Sequence, residues 1–495
     1  MAGRRQKADM RRLDELFADE PDRLGRMSFE VGGIYFDWSK THLDQTLIDR
    51  FIERAGQAGF ADSRDALFVG DIVNPSEGRA ATHVAERGSG APEDVDLATA
   101  RRQRMRALVD AVEAGAFGDV SGVLHIGIGG SLLGPALLVD ALGRRSATLD
   151  VRFLSNIDSA AFDEAVKPLD PATTLVVVVS KTFATAETLA NMESALEWLR
   201  SAGIADPHGR LIGVTAAPET AVVAGIDETR VLPFGDGIGG RYSLWSSVGM
   251  SAALALGWDA FEELLEGAAE MDRHFRFAEA GANVPLLAAF ADRLYVEDYG
   301  CQTRGVFAYD ERLRLLPFYL QQLEMESNGK SATRDGQPVG RPTAPVTWGG
   351  TGTDAQHAVF QLLHQGTLLV PVEFVAVREG DGKQDPDRHR QLLLNAFAQG
   401  AALMQGAASD DLRRDYPGNR PSVTILLDRL DPRTLGALIA FYEHRTFANA
   451  VLLGVNPFDQ FGVELGKEMA VALSDGAVEA SLDASTRALI EKAGV

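Results

Sequence analysis

The chain has 495 residues, 45% hydrophobic and 24% charged, with a formal net charge of −22. That length gives two or three domains with ample core to bury. The acidity argues against a nucleic-acid partner, and it means an anionic ligand must be caught by a locally positive site.

The N-terminus opens with Arg4, Arg5, Lys7, Arg11 and Arg12, but no apolar segment follows, so it does not read as a secretory signal. Asp9, Asp14, Glu15, Asp19 and Glu20 argue against an organelle transit peptide. Residues 1–95 read as helical with irregular loops. From about residue 105 strand and helix alternate. Val123–Ile128 is a short apolar strand running into a glycine turn and a helix, Leu132–Leu142. Val151–Ser155, Thr174–Val179 and Leu211–Val214 read as further strands, with a helix over Ala186–Leu199. A helical stretch, roughly 248–298, leads to a second run of strands: Gly305–Tyr309, Val346–Trp348, Leu368–Val377, Ser422–Leu427 and Ala448–Leu453. The helices between them are 311–325, 355–365, 387–405 and 433–446. Such alternation predicts parallel sheets covered on both faces. The expected fold is therefore α/β, with two doubly wound parallel-sheet domains and helical N- and C-terminal extensions. The expected boundaries are 1–104, 105–255, 256–472 and 473–495.

The one cysteine, Cys301, excludes an intramolecular disulfide and a cysteine metal cluster, and reads as a small buried apolar residue. No apolar run approaches the ~18 residues of a membrane helix. The expected setting is the cytoplasm, with neither membrane nor nucleic acid as partner.

Gly127-Ile128-Gly129-Gly130-Ser131 follows a strand and opens a helix. Glycines allow an anion close to the backbone, and a helix start offers free N–H groups and a positive dipole end. The run is neither G-x-G-x-x-G nor a Walker loop. Ser180, Lys181, Thr182 and Thr185 place three hydroxyls and an ammonium after another strand and before another helix. Either loop alone is as well explained by Ser/Thr helix capping. Two in one domain point to a single phosphomonoester held between them.

Glu326 precedes Ser327-Asn328-Gly329, a turn-forming run, where a carboxylate can face a cleft. A surface glutamate is the plainer alternative. His357 lies near a helix start and competes with His364, two turns on along the same face. Gln460 and Lys467, seven apart on an expected helix, also share a face.

Eight ordered segments between residues 70 and 470 together resemble the glucose-6-phosphate isomerase (phosphoglucose isomerase) family. They are Gly127–Pro135 (GIGGSLLGP), Ser180–Thr188 (SKTFATAET), Gly239–Ser243 (GGRYS), Met325–Lys330 (MESNGK), Trp348–Gly366 (WGGTGTDAQHAVFQLLHQG), Gly418–Ser422 (GNRPS), Leu435–His444 (LGALIAFYEH) and Phe458–Lys467 (FDQFGVELGK). The resemblance implies reversible interconversion of D-glucose 6-phosphate and D-fructose 6-phosphate through a cis-enediol, in glycolysis and gluconeogenesis, with no cofactor and no metal. It implies that Gly130, Ser131, Ser180, Lys181, Thr182 and Thr185 hold the sugar phosphate. Glu326 would shuttle the proton between C2 and C1, with Arg241 near the enediol oxygens and Gly240 allowing close backbone approach. His357 would help open the sugar ring from the neighbouring subunit of a homodimer. Lys467 would share that task, and Gln322 and Gln460 would line the pocket. Ala184, Ala186, Gly350, Phe461 and Leu132 depart from residues common in the family; no implied catalytic position does.

Two other readings compete. A non-catalytic sugar-phosphate sensor would keep the cradle and lose the acid/base groups, yet Glu326, Arg241, His357 and Lys467 are all present. A dinucleotide-binding dehydrogenase would use an acid past the second strand, and Asp158 stands there; the missing G-x-G-x-x-G disfavours it.

Overall fold

The computed structural model describes residues 10–474 and 482–494. Arg4, Arg5, Lys7 and Asp9 of the charged N-terminus, and part of the expected 473–495 extension, lie outside the described residues. The chain forms two compact units, one ending at Pro457 and one beginning at Phe458.

Eleven strands are present among the described residues. They are β1 (Ser28–Val31), β2 (Ile34–Asp37), β3 (Gly122–Ile126), β4 (Asp150–Leu154), β5 (Thr174–Val179), β6 (Leu211–Thr215), β7 (Val231–Pro233), β8 (Thr303–Tyr309), β9 (Val346–Thr351), β10 (Val372–Val377) and β11 (Ser422–Leu427). The first sheet has order β4-β3-β5-β6-β7 and is wholly parallel. Strands β3, β5 and β6 are buried at every position, as continuous Val/Ile/Leu runs require when helices cover both faces. Leu124, Ile126, Val176 and Val178 pack with Ala195, Leu196 and Leu199 of the helix Ala186–Ser201. His125, pointing the other way, meets Ser251 of the helix Met250–Leu256 at 2.8 Å.

The second sheet has order β1-β2-β11-β10-β8-β9. Its β11, β10, β8 and β9 are parallel, and the β1–β2 hairpin adds an antiparallel edge through β2 and β11. Phe307, Tyr309, Phe374 and Ala376 pack on Phe360, Leu363, Ala396 and Leu403 on one side. On the other, Phe36 meets Phe441 of the helix Pro432–Leu453 with ring centroids 4.7 Å apart.

Several expected elements change. Residues 1–95 contain the β1–β2 hairpin, where only helix and loop are expected. Its turn is Gly32-Gly33, with φ of 60° and 73°, the left-handed pair that a tight two-residue hairpin needs. Ala448–Leu453 is not a strand but the last turns of the helix Pro432–Leu453, which ends on Gly454 at φ 74°. That helix is buried on nearly all sides, so its apolar residues show no helical stripe, and a short apolar run cannot be assigned by period alone. The strand expected over Leu368–Val377 begins only at Val372. The helix expected over 311–325 breaks into a 3-10 turn (Glu311–Leu313), a helix (Leu316–Leu320) and a π-helix (Gln321–Glu326). β7 is additional. Cys301 is buried, as its residue type leads one to expect. Among the described residues no helix is long and apolar enough to cross a membrane.

Candidate active site

β3 and β5 are parallel neighbours, with Ile126 beside Val178. The loops that follow them therefore leave the same edge of the sheet side by side, at the strand carboxyl ends where α/β sheets bind ligands. The N–H groups of Gly129 and Gly130 have no acceptor among the described residues, nor do those of Lys181, Thr182, Ala184 and Thr185. Thr185 stands at the N-cap of the helix Ala186–Ser201 but makes no side-chain cap. Its hydroxyl lies 3.0 Å from that of Ser180. The capping explanation of this loop therefore fails for Thr185. Thr182 is exposed, and Phe183 between them takes φ 52° while fully buried. A buried side chain there pins a backbone conformation that non-glycine residues rarely adopt.

Lys181 is tied down locally. Its Nζ donates to the carbonyls of Asp236 (2.7 Å) and Ile238 (3.1 Å) and lies 3.6 Å from the Asp236 carboxylate. Burial, helped by the nearby Arg79, holds its ammonium below the usual lysine range. Ser131 is half-buried, and its carbonyl accepts from His125 Nε2 at 2.7 Å. His125 Nδ1 is then the acceptor for the Ser251 hydroxyl, which fixes a neutral tautomer. Burial lowers this imidazole to about 4.

Gly130 and Gly240 bring the glycine turn against the 3-10 segment Gly240–Trp245. A Cβ on Gly130 would lie 2.1 Å from the Gly240 carbonyl carbon, whereas one on Gly240 would meet only ordinary contact at 3.9 Å. The close approach thus demands glycine at 130 more than at 240. A Cβ on Gly129 would lie 2.9 Å from Gln322 Nε2, which places that amide beside the turn.

Arg241 is buried. Its Nε donates to Ser327 Oγ at 2.6 Å, its Nη2 to the Pro457 carbonyl, and its Nη1 lies 3.4 Å from Glu326 Oε2. That carboxylate oxygen is buried and accepts no hydrogen bond among the described residues. Ser327 also meets the Tyr242 hydroxyl at 3.0 Å; burial pushes that phenol up to about 12. Ser327 and Asn328 do not form the expected turn. Both are buried and continue the helix, and Asn328 Nδ2 donates to the Thr446 carbonyl at 3.0 Å. Ser327 and Tyr242 are site residues that the sequence reading missed, although both sit inside the quoted segments.

His357 is exposed, in the last turn of the helix Gly352–Ala358, and has no hydrogen-bond partner among the described residues. His364 lies on a separate helix, Phe360–Gln365, so the two do not share one continuous face. It sits 2.9 Å from Gln399 Oε1 and edge-on to Tyr416, which identifies it as a packing residue. Gln460 precedes a 3-10 turn, Phe461–Val463, and Lys467 lies on the helix Glu464–Ser474, so the expected shared helix is interrupted. Both are exposed, in the second unit. Asp158 caps the helix Ser159–Val166, accepting from Ala160 N at 2.9 Å. That structural task removes the motive for a ribose-binding role. No group of His, Cys, Asp and Glu among the described residues is arranged to hold a metal ion.

Fold and site together define an α/β protein equipped for general acid–base chemistry on a phosphorylated ligand. A family model described as phosphoglucose isomerase matches residues 37–490. The glucose-6-phosphate isomerase of Rhizorhabdus wittichii is 63% identical over 97% of this chain and 96% of its own. That of Zymomonas mobilis is 57% identical over 97% and 95%. The crystal structure of a glucose-6-phosphate isomerase from Chlamydia trachomatis superposes with a TM-score of 0.91 at 31% identity, covering 98% of this chain and 96% of that one. The chain belongs to the phosphoglucose isomerase family.

Proposed function

We propose how this enzyme carries out its reaction, the reversible interconversion of D-glucose 6-phosphate and D-fructose 6-phosphate. The free N–H groups and hydroxyls of the Gly129–Ser131 and Ser180–Thr185 loops hold the phosphate. Lys181 acts there as a pinned cation that also orders the Asp236–Ile238 loop. Once the ring is open, Glu326 takes the proton from C2 and returns it to C1. Arg241 stabilises the charge that develops on the enediol oxygens. Gly240 keeps the backbone low beneath the sugar, and Gln322 and Gln460 contact its hydroxyls. His357 and Lys467 exchange the ring-opening protons.

The observation that carries this reading is Glu326 Oε2: buried, without a hydrogen bond, and 3.4 Å from the Arg241 guanidinium. A buried oxygen left unpaired is costly, and here it is the lone pair that a base needs. A coupled assay of fructose 6-phosphate conversion, repeated with mannose 6-phosphate, sets the substrate range. Absorbance at 340 nm with NAD or NADP and no coupling enzyme should stay flat; a rise would favour a dehydrogenase.

The working form is a twofold homodimer, with His357 donated to the partner's site; the exposure of His357 supports this. Glu326→Gln and His357→Ala homodimers should each be nearly inactive. Unfolded, mixed and refolded together, half the dimers are hybrids with one intact site of two, so recovery should approach roughly a quarter of parental activity. Verified hybrids without recovery would keep His357 in its own subunit's site, or outside the chemistry. The same reading divides the chain at 1–104, 105–255, 256–472 and 473–495. It places the protein in the cytoplasm, without nucleic-acid or membrane partners.

A further inference from the structure

Glu324 stands two residues before Glu326 and takes no part in the chemistry above. Its carboxylate is buried. It accepts from Thr347 Oγ1 at 2.8 Å and contacts the guanidinium groups of both Arg304 and Arg445. Those arginines are shared. Arg304 reaches Asp292 at 2.6 Å and Glu373 at 3.4 Å, and Arg445 also pairs with Glu373. Thr347 belongs to β9, Arg304 to β8, Glu373 to β10 and Arg445 to the helix Pro432–Leu453. One side chain thus ties the π-helix Gln321–Glu326 directly to two strands and the long helix.

Two facts make this more than general stabilisation. First, π-helices are rare, usually single turns, and frequent at functional sites. Second, residues two apart on a helix point to opposite sides. Glu324 faces the arginines while Glu326 faces Arg241. Buried ion networks are weak devices for stability, since apolar replacements often match them. Their best-attested use is to specify one register.

We propose that Glu324 is a positioning residue that locks the π register and so aims Glu326 at the reacting carbons. This rests on the reading of Glu326 as the proton shuttle. Loss of the clamp lets the segment relax toward α-helical register and swings Glu326 away from Arg241.

The test compares full-length Glu324→Gln, Glu373→Gln and Glu326→Gln. Glu324→Gln should lower kcat about 10–100-fold, as a misplacement of about 1 Å does. KM, and the affinity of a stable sugar-acid phosphate inhibitor, should stay within about threefold of parental. Glu373→Gln removes an acid that shares both arginines but lies on β10. It should lower Tm comparably and leave kcat within about threefold. Equal slowing by both variants, or parental kcat in Glu324→Gln, would overturn the proposal. If Glu324→Gln does not fold, Thr347→Val removes one hydrogen bond from the clamp. It should lower kcat about 3–10-fold with KM within about threefold of parental; a parental kcat there also overturns the proposal. High turnover in Glu326→Gln sinks the shuttle reading itself. An inactive Glu326→Gln beside a fully active Glu324→Gln sinks only the positioning role.

Discussion

The loops of the first sheet and the π-helix beside the second contribute to the site in different physical ways. Around Gly129–Ser131 and Ser180–Thr185 the working groups are backbone N–H and hydroxyls, set by turn geometry at adjacent strand ends. Around Glu326 they are charged side chains, and the segment that carries it is tied by buried ion pairs to several elements. In the reading proposed above, the first half binds a fixed charge and needs only rigid, close backbone. In the same reading the second half moves a proton, so it needs a base that is buried, unpaired and accurately directed.

The contrast is sharpest under substitutions that keep shape and change chemistry. Glu326→Gln should lower kcat by about 10²–10⁴-fold with little change in KM, measured by steady-state kinetics. Near-parental turnover would place the base elsewhere. Gly130→Ala pushes a methyl into the Gly240 carbonyl. It should cost about 3 kcal/mol of stability by overpacking, read as a lower midpoint in urea. An unchanged midpoint would mean the two segments are free to part.

Acid sensitivity probes the support under the glycine turn. His125 titrates at about 4 in the folded protein, because it is buried, against about 6.5 unfolded. The unfolded chain therefore binds this proton first. The stability is fully present above about pH 6.5, and up to about 3 kcal/mol drains away as pH falls toward 4. A His125→Gln variant should show a shallower acid slope in thermal melts. Identical slopes would show that the ring protonates without penalty. The smallest effect belongs to the cradle. Ser180→Ala or Thr182→Ala should weaken a sugar-acid phosphate inhibitor by roughly 1–3 kcal/mol and leave kcat nearly intact. If kcat falls instead while inhibitor binding holds, the hydroxyl loop touches the reacting carbons and the division between the two halves dissolves.

The same division governs what could be read from sequence. Gly127–Ser131 and Ser180–Thr185 are contiguous strand–turn–helix signals, so fold and loop placement were legible there. Glu326 was legible only through the resemblance carried by MESNGK, since nothing local separates it from a surface glutamate. Its supports were not legible at all. Glu324, Thr347, Arg304 and Arg445 meet only once the second sheet and the helix Pro432–Leu453 have assembled, and no pattern in the chain announces that. The β1–β2 hairpin was missed for a different reason. Its strands are four residues each, too short to establish a period, although the glycine pair between them is itself a turn signal.

That hairpin also bears on how the protein is made. The first sheet uses strands between residues 122 and 233 and can close while the rest of the chain is still being synthesised. The hairpin leaves the ribosome before any of this, yet β2 pairs with β11, at residues 422–427. At about 5–20 residues per second, it waits roughly 20–80 s for its partner strand. Throughout that interval β2, with Phe36 on it, lacks the strand it pairs with in the folded protein. One of the first segments made is thus among the last to be sealed.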